Sequence, residues 1–181
     1  TDVIFQKKAG DHLFLRGPYG RRWPVDQLKD KHVFVIAGGT GVSPVRSTLN
    51  FCYKNPGYVK SMNLVCGFKN SESVLFENDL ANWKEAFDNT WYCLDNEEKE
   101  GFHKGFVTGI VKDLPLKEAG DDYAVLVVGP PGMMKFTGLE LIKNGFDENK
   151  IWMSFERKMS CAIGKCGHCR IDEVYVCLEG P

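Results

Sequence analysis

Four cysteines near the C-terminus are the residues whose spacing speaks most directly of chemistry. Cys161, Cys166 and Cys169 form a C-x4-C-x2-C run, and Cys177 follows after seven further residues. That spacing matches the thiolate set of plant-type [2Fe–2S] sites, except that the fourth cysteine arrives early. Gly164 and Gly167 let such a loop fold round a cluster with its N–H groups aimed at sulfur, which stabilises negative charge. Structural zinc is the alternative, since thiolates suit both metals, although zinc usually takes two spaced cysteine pairs where this chain has a triplet plus one. His168 is expected beside the site or on the surface, because four cysteines already complete the ligand set. Lys158, Lys165 and Arg170 could tune a potential, dock a partner or simply be solvated charge.

A second chemistry is suggested by glycines at two predicted strand ends. Val33 to Ile36 runs into Ala37-Gly38-Gly39-Thr40-Gly41-Val42-Ser43-Pro44. Here the glycines allow a sharp turn close to a phosphate, Ser43 is expected to cap the next helix, and Pro44 suits its first position. The unpaired N–H groups at such a helix start favour an anion, so a pyrophosphate fits. Pro44 stands where the third glycine of G-x-G-x-x-G would be, and a tight turn without ligand is the plainer alternative. The second turn, Val128-Gly129-Pro130-Pro131-Gly132-Met133-Met134, also follows an apolar run. In an open parallel sheet both turns lie on the edge where ligands collect. The methionines are expected to pack, with one of them able to lie beside a nicotinamide ring.

These groups must be positioned by a regular scaffold, and the chain has the means to build one. Of its 181 residues 43% are hydrophobic and 26% charged. That is enough for a soluble α/β domain without disulfide staples. A net charge of -1 offers no global field for nucleic acid or an anionic membrane, and no apolar run reaches membrane-spanning length. The seven cysteines are odd in number and four of them crowd between Cys161 and Cys177, as expected for metal ligation in a reducing compartment such as the cytoplasm. Cys52, Cys66 and Cys93 lie in apolar segments and read as small buried hydrophobes. Apolar runs at 33–36, 62–66, 91–94, 123–128 and 151–155 predict five parallel strands with helices on both faces. The triplets Val45/Leu49/Cys52, Leu80/Trp83/Phe87 and Phe136/Leu139/Ile142 have the spacing of buried helical stripes. Residues 1–28 are short and β-like, residues 29–156 form the α/β body, and residues 157–181 form a hairpin-like tail. The chain begins without Met and breaks off after a motif, so its ends are expected to be fragment ends.

The ordered motifs Gly17-Pro18-Tyr19-Gly20, Gly38 to Pro44 and Gly129 to Met133 resemble the ferredoxin–NADP reductase superfamily. That resemblance implies that the first motif closes a flavin barrel, the second meets the nucleotide pyrophosphate, and the third lies by the nicotinamide. It makes 1–28 the remnant of a flavin-binding β-barrel, places Glu156 near the flavin unless it forms a salt bridge, and requires no side chain as acid or base. The tail from Phe155 to Pro181 resembles the electron-transfer subunit of anaerobic sulfite reductase most closely, and also the gamma subunit of cytosolic NAD(P)-linked hydrogenases. Electron-transfer subunits of dihydroorotate dehydrogenase are similar, with a later last cysteine. One departure from that pattern is Gly20-Arg21-Arg22-Trp23, where relatives commonly carry a Gly-Asn-Gly-Phe-like sequence.

The cofactors implied are a [2Fe–2S] cluster, NAD(P)H and FAD. A nicotinamide gives two electrons together and a cluster takes them singly, so a flavin must stand between them. FAD is expected in the intact subunit and weakly or not at all in this piece. The charges of Lys69 and Glu72 after the second strand lean toward NADH, unless they are ordinary surface charge. Partners are expected to be other subunits of a redox complex. A zinc-stabilised interaction module without catalysis is the competing class.

Overall fold

The run Val33 to Ile36 lies at the centre of a parallel sheet. A computed structural model, which describes residues 2–180, contains in chain order α1 (Asp2–Phe5), β1 (His32–Gly38), α2 (Val42–Lys54), β2 (Ser61–Phe68), α3 (Glu77–Ala86), β3 (Asn89–Leu94), β4 (His103–Lys104), α4 (Leu116–Ala119), β5 (Tyr123–Val128), α5 (Pro131–Lys143), β6 (Ile151–Ser154), β7 (Arg170–Ile171), β8 (Val174–Tyr175) and α6 (Val176–Glu179). Thr1 and Pro181, the outer ends of the first and last predicted segments, lie outside the described residues.

The main sheet has the order β4-β3-β2-β1-β5-β6, with every pairing parallel. It has six strands, one more than the five expected. The extra one, β4, is two residues long at the edge, too short to leave a periodic signal. Alternation along β1 explains the two-faced core. Val33, Val35 and Ala37 point to α2 and α3, while Phe34 and Ile36 point to α5 and a 3-10 helix at Val107–Asp113. Covering on both faces is why these strands read as continuous apolar runs.

The α2 stripe is buried as expected, and so are Leu80 and Trp83 on α3. Phe87 sits just past the end of α3, stacked on Trp83 at 6.4 Å. The α5 stripe is reversed from expectation: Phe136, Leu139 and Ile142 are 63%, 56% and 48% exposed. The buried face is instead Met134, Thr137, Gly138 and Leu141. Close approach decides this, because a Cβ on Gly138 would lie 2.5 Å from Cε of Met153 on β6.

The β-like reading of the N-terminus is also corrected. Ile4-Phe5 ends a helical turn, and Leu13-Phe14-Leu15 pairs with no strand among the described residues, Phe14 being wholly exposed. A strand needs a neighbour for its N–H and C=O groups, and among the described residues none pairs with this segment. At the other end, β7 and β8 form the expected antiparallel hairpin, with a small core of Cys169, Val176 and Cys177. Among the described residues no helix is long and apolar enough to cross a membrane.

Candidate functional site

Strand order reverses at β1, which has β2 on one side and β5 on the other. A crevice opens beyond the C-terminal ends of strands at such a point, and both glycine turns meet there. Gly39 adopts φ +55 with open space around it, and a 3-10 turn over Gly39–Gly41 leads straight into α2. Gly41 is the residue before the helix, and no side chain caps it. Ser43 and Pro44 are therefore the second and third helical residues, not the cap and first residue expected from sequence. The preceding 3-10 turn starts the winding early, and both residues are exposed. The N-terminal proline role falls to Pro131, which opens α5 behind Pro130. Met133 holds the two turns together, since a Cβ on Gly129 or Gly38 would lie 2.8 or 3.2 Å from its sulfur. Gly132, on the exposed side of α5, has open space around it.

Three clefts surround this edge. One of about 480 Å³ is lined by Gly38, Gly39, Phe68, Lys69, Asp95 and Met133. A second of about 560 Å³ joins Thr40, Gly41, Gly129 and Pro130 to Glu156 and to Ile171 of the cysteine hairpin. The largest, about 910 Å³, lies between Arg21 to Gln27, the outer side of α2 with Pro44 and Phe51, and Trp152. Trp23 is anchored there by donating from Nε1 to the Pro44 carbonyl at 3.0 Å. Gly17, Pro18, Tyr19 and Gly20 line none of these three clefts, although the residues after them do. The Tyr19 hydroxyl is buried without a hydrogen-bond partner among the described residues, an atom that a bound group would satisfy.

Asp95, which with Asn96, Glu97 and Glu98 reads in sequence as a solvated acidic loop, instead lines the first of these clefts. It follows the last residue of β3, so the strand-end rule that singled out Gly38 and Gly129 applies to it as well. Burial holds its carboxyl above the usual range, with Lys69 opposing. Glu72 is exposed and outside the clefts. Glu97 accepts from the Ser71 amide and hydroxyl, both at 2.7 Å, and is thereby held below the usual range.

In the tail, the amides of Ile163, Lys165 and Cys166 donate to Cys161 Sγ at 3.5, 3.4 and 3.4 Å. The loop passes through left-handed conformations at Ala162, Gly164 and Gly167 to make this wrap. Cys166 is tied to Cys161 through its own amide, and Cys169 and Cys177 share the small core of the hairpin. Backbone N–H groups lower the Cys161 thiol and, led by that of His168, bring Cys166 down to about 7, whereas burial raises Cys177. Among the described residues no three His, Cys, Asp or Glu side chains gather at one ion position. Cys52 and Cys93 are buried in the main core and pushed up to about 11 by that burial, and Cys66 is raised further. His168 is exposed, Arg170 pairs with Glu173, and Glu156 forms no ion pair among the described residues.

Comparison with known proteins agrees with this layout. Residues 35–138 match the family described as "Oxidoreductase NAD-binding domain", and residues 156–181 match "Iron-sulfur cluster binding domain of dihydroorotate dehydrogenase B". The whole chain is 34% identical to sulfhydrogenase 2 subunit gamma of Pyrococcus furiosus, spanning 68% of it. It is 29% identical to the probable dihydroorotate dehydrogenase B electron transfer subunit of Thermococcus kodakarensis, spanning 69%. The chain thus covers about two thirds of the length of these curated relatives. A ferredoxin–NADP+ reductase of Plasmodium falciparum superposes with a TM-score of 0.62 at 22% identity, over 84% of this chain and 64% of that one. The family match at 35–138 spans both glycine turns and the match at 156–181 spans the four cysteines, and the chain belongs to the oxidoreductase NAD-binding domain family, with the ferredoxin–NADP reductase-like fold, alongside the sulfhydrogenase gamma subunits.

Proposed function

We propose that the chain passes electrons from NAD(P)H, through FAD held by the intact subunit, to a [2Fe–2S] cluster and on to a partner subunit of a cytosolic reductase complex. The observation that carries this reading is the cleft of about 560 Å³, whose walls include the nucleotide turn at Thr40, Gly41 and Gly129 and Ile171 of the cysteine hairpin. In chemical terms, nicotinamide supplies two electrons as hydride, a flavin separates them, and an iron–sulfur centre carries them singly. Segments 1–28, 29–156 and 157–181 would serve flavin, nucleotide and cluster respectively.

Gly39, Thr40 and Gly41, with the uncapped amides that open α2, would bind the pyrophosphate; Gly38, Ser43 and Pro44 shape that turn. Gly129 to Met133 would pack beside the nicotinamide, with Glu156 on the flavin side. Asp95 supports NADH, because a carboxylate accepts from a free ribose hydroxyl and repels a 2′-phosphate. Gly17 to Gly20 would contact FAD, and the unpartnered Tyr19 hydroxyl supports this. Cys161 and Cys166 would hold one iron, Cys169 and Cys177 the other. Four cysteines spaced as a triplet plus one support an iron–sulfur cluster over zinc, which usually takes two spaced cysteine pairs.

On the acceptor side, the resemblance of the tail supports a sulfite reductase complex. The identity to sulfhydrogenase 2 subunit gamma supports a hydrogenase, and the match at 156–181 supports dihydroorotate dehydrogenase B. The eight-position step from Cys169 to Cys177 favours the first two. The test is metal and sulfide analysis of the intact subunit purified without oxygen. Iron and acid-labile sulfide in equal amounts, with a visible spectrum bleached by NADH, are expected; stoichiometric zinc without sulfide overturns the reading. Identifying the copurifying subunits decides the acceptor.

A further inference from the structure

The cysteine loop has an inner and an outer pair. Cys169 and Cys177 are buried in the hairpin's small core, whereas Cys161 is half-buried and Cys166 is the only exposed cysteine of the seven. The backbone wrapped on Cys161 turns the Ile163 side chain outward, 58% exposed. Along the segment that carries it, residues 157–169, the charges have one sign. Arg157, Lys158 and Lys165 are the charged residues of 157–169, Arg170 follows on β7, and no acid occurs between Glu156 and Asp172. All three are exposed, and among the described residues none of them makes an ion pair. On a chain with a net charge of -1, this is a run of exposed positive charge on the segment that also carries an exposed apolar side chain and the exposed Cys166.

Resting on the cluster reading above, we infer that the partner receiving electrons docks on this loop and is a protein presenting carboxylates around a small apolar centre that receives Ile163. Unpaired charge at a rim steers encounter and orients the partner, and it suits the small interfaces of electron-transfer pairs. The iron between Cys161 and Cys166 would then be the one nearer the partner. A purely compensating role for the lysines, offsetting the thiolate charge, predicts a shifted potential in place of a docking effect.

The test uses the intact, cluster-loaded subunit and its Lys158→Gln/Lys165→Gln variant. Re-oxidation of the reduced cluster is timed with anionic ferricyanide and with cationic hexaammineruthenium(III), at low and high salt, and midpoint potentials are read by EPR titration. The parent should favour the anion in a salt-sensitive way. The variant should lose roughly three- to tenfold of the anion rate at low salt, little of the cation rate, and none of the potential. Carbodiimide coupling to an acidic [2Fe–2S] ferredoxin, used as the probe, should join its carboxylates to Lys158 or Lys165. Equal effects on both acceptors, a potential shift that accounts for the rates, or coupling only outside the loop overturns the inference. If the variant does not load, the charge preference of the parent decides alone. A parent lacking iron and sulfide sinks the cluster reading and this inference together, while a loaded parent that favours the cation sinks only the inference.

Discussion

A Cβ on Gly41 would lie 2.7 Å from the carbonyl oxygen of Val128, so the start of α2 and the end of β5 meet backbone to backbone. Neither partner is a flexible side chain, and Gly41→Ala must push two main chains apart. An overpacking cost of about 1–3 kcal/mol is expected, with NADH binding weakened by roughly tenfold as the turn shifts. Urea titration and nucleotide fluorescence measure the two effects. Gly109→Ala, where a Cβ meets nothing within 4 Å, is the control. A Gly41→Ala protein as stable and as tight-binding as the parent would refute the contact.

The cysteines should divide into two classes. Cys161→Ala or Cys166→Ala in the anaerobically purified subunit is expected to abolish the visible spectrum and acid-labile sulfide. Cys52→Ala should keep both and lose only stability, about 1 kcal/mol for a small buried side chain. Retention of full sulfide by the Cys166→Ala variant would remove that residue from the ligand set.

Asp95 has a pH signature whose sign follows from burial. Its folded carboxyl binds a proton more tightly than the unfolded one, so the charge weakens the fold as it forms. Asp95→Asn is expected to be the more stable protein at neutral pH, with the difference shrinking as pH falls through the acid range toward the ordinary value of about 3.9. Urea midpoints across that range give the answer, and a difference that grows on acidification contradicts it. The same variant should lose preference for NADH over NADPH in paired binding titrations.

Trp83 is fully buried between α3 and α2, and its Nε1 donates to Asn50 Oδ1 at 3.0 Å. Trp83→Ala should cost about 3–5 kcal/mol, read as a lowered denaturation midpoint. Trp83→Phe keeps most of the packing but strands the Asn50 amide, and should cost less. Equal costs would place the stabilisation in the hydrogen bond alone.

The class of fold was legible in the sequence because it rests on local rules. Strands covered on both faces must be apolar throughout, as β1 and β5 are, and backbone turned sharply beside a neighbouring strand must be glycine, as at Gly41. Thiolate spacing likewise needs no tertiary information. Where the structure departs from the sequence pattern, a choice between equivalent local options is made elsewhere in the molecule. The apolar triplet on α5 is real, yet Gly138 permits the closer approach and turns Phe136 and Leu139 to the solvent. The β-like segment around Phe14 keeps its composition but has no strand beside it.

Residue types and spacing alone thus determined that this chain is an α/β protein with an anion-suited turn and a four-cysteine hairpin. Only the tertiary structure decided that Asp95 lines a cleft with Gly38 and Gly39, that Cys169 and Cys177 are buried while Cys166 is exposed, and that Ile171 shares a cavity with Gly41. The reason is physical: local sequence dictates what the backbone can do at one point. Which distant points share a space depends on how the two faces of the sheet are filled.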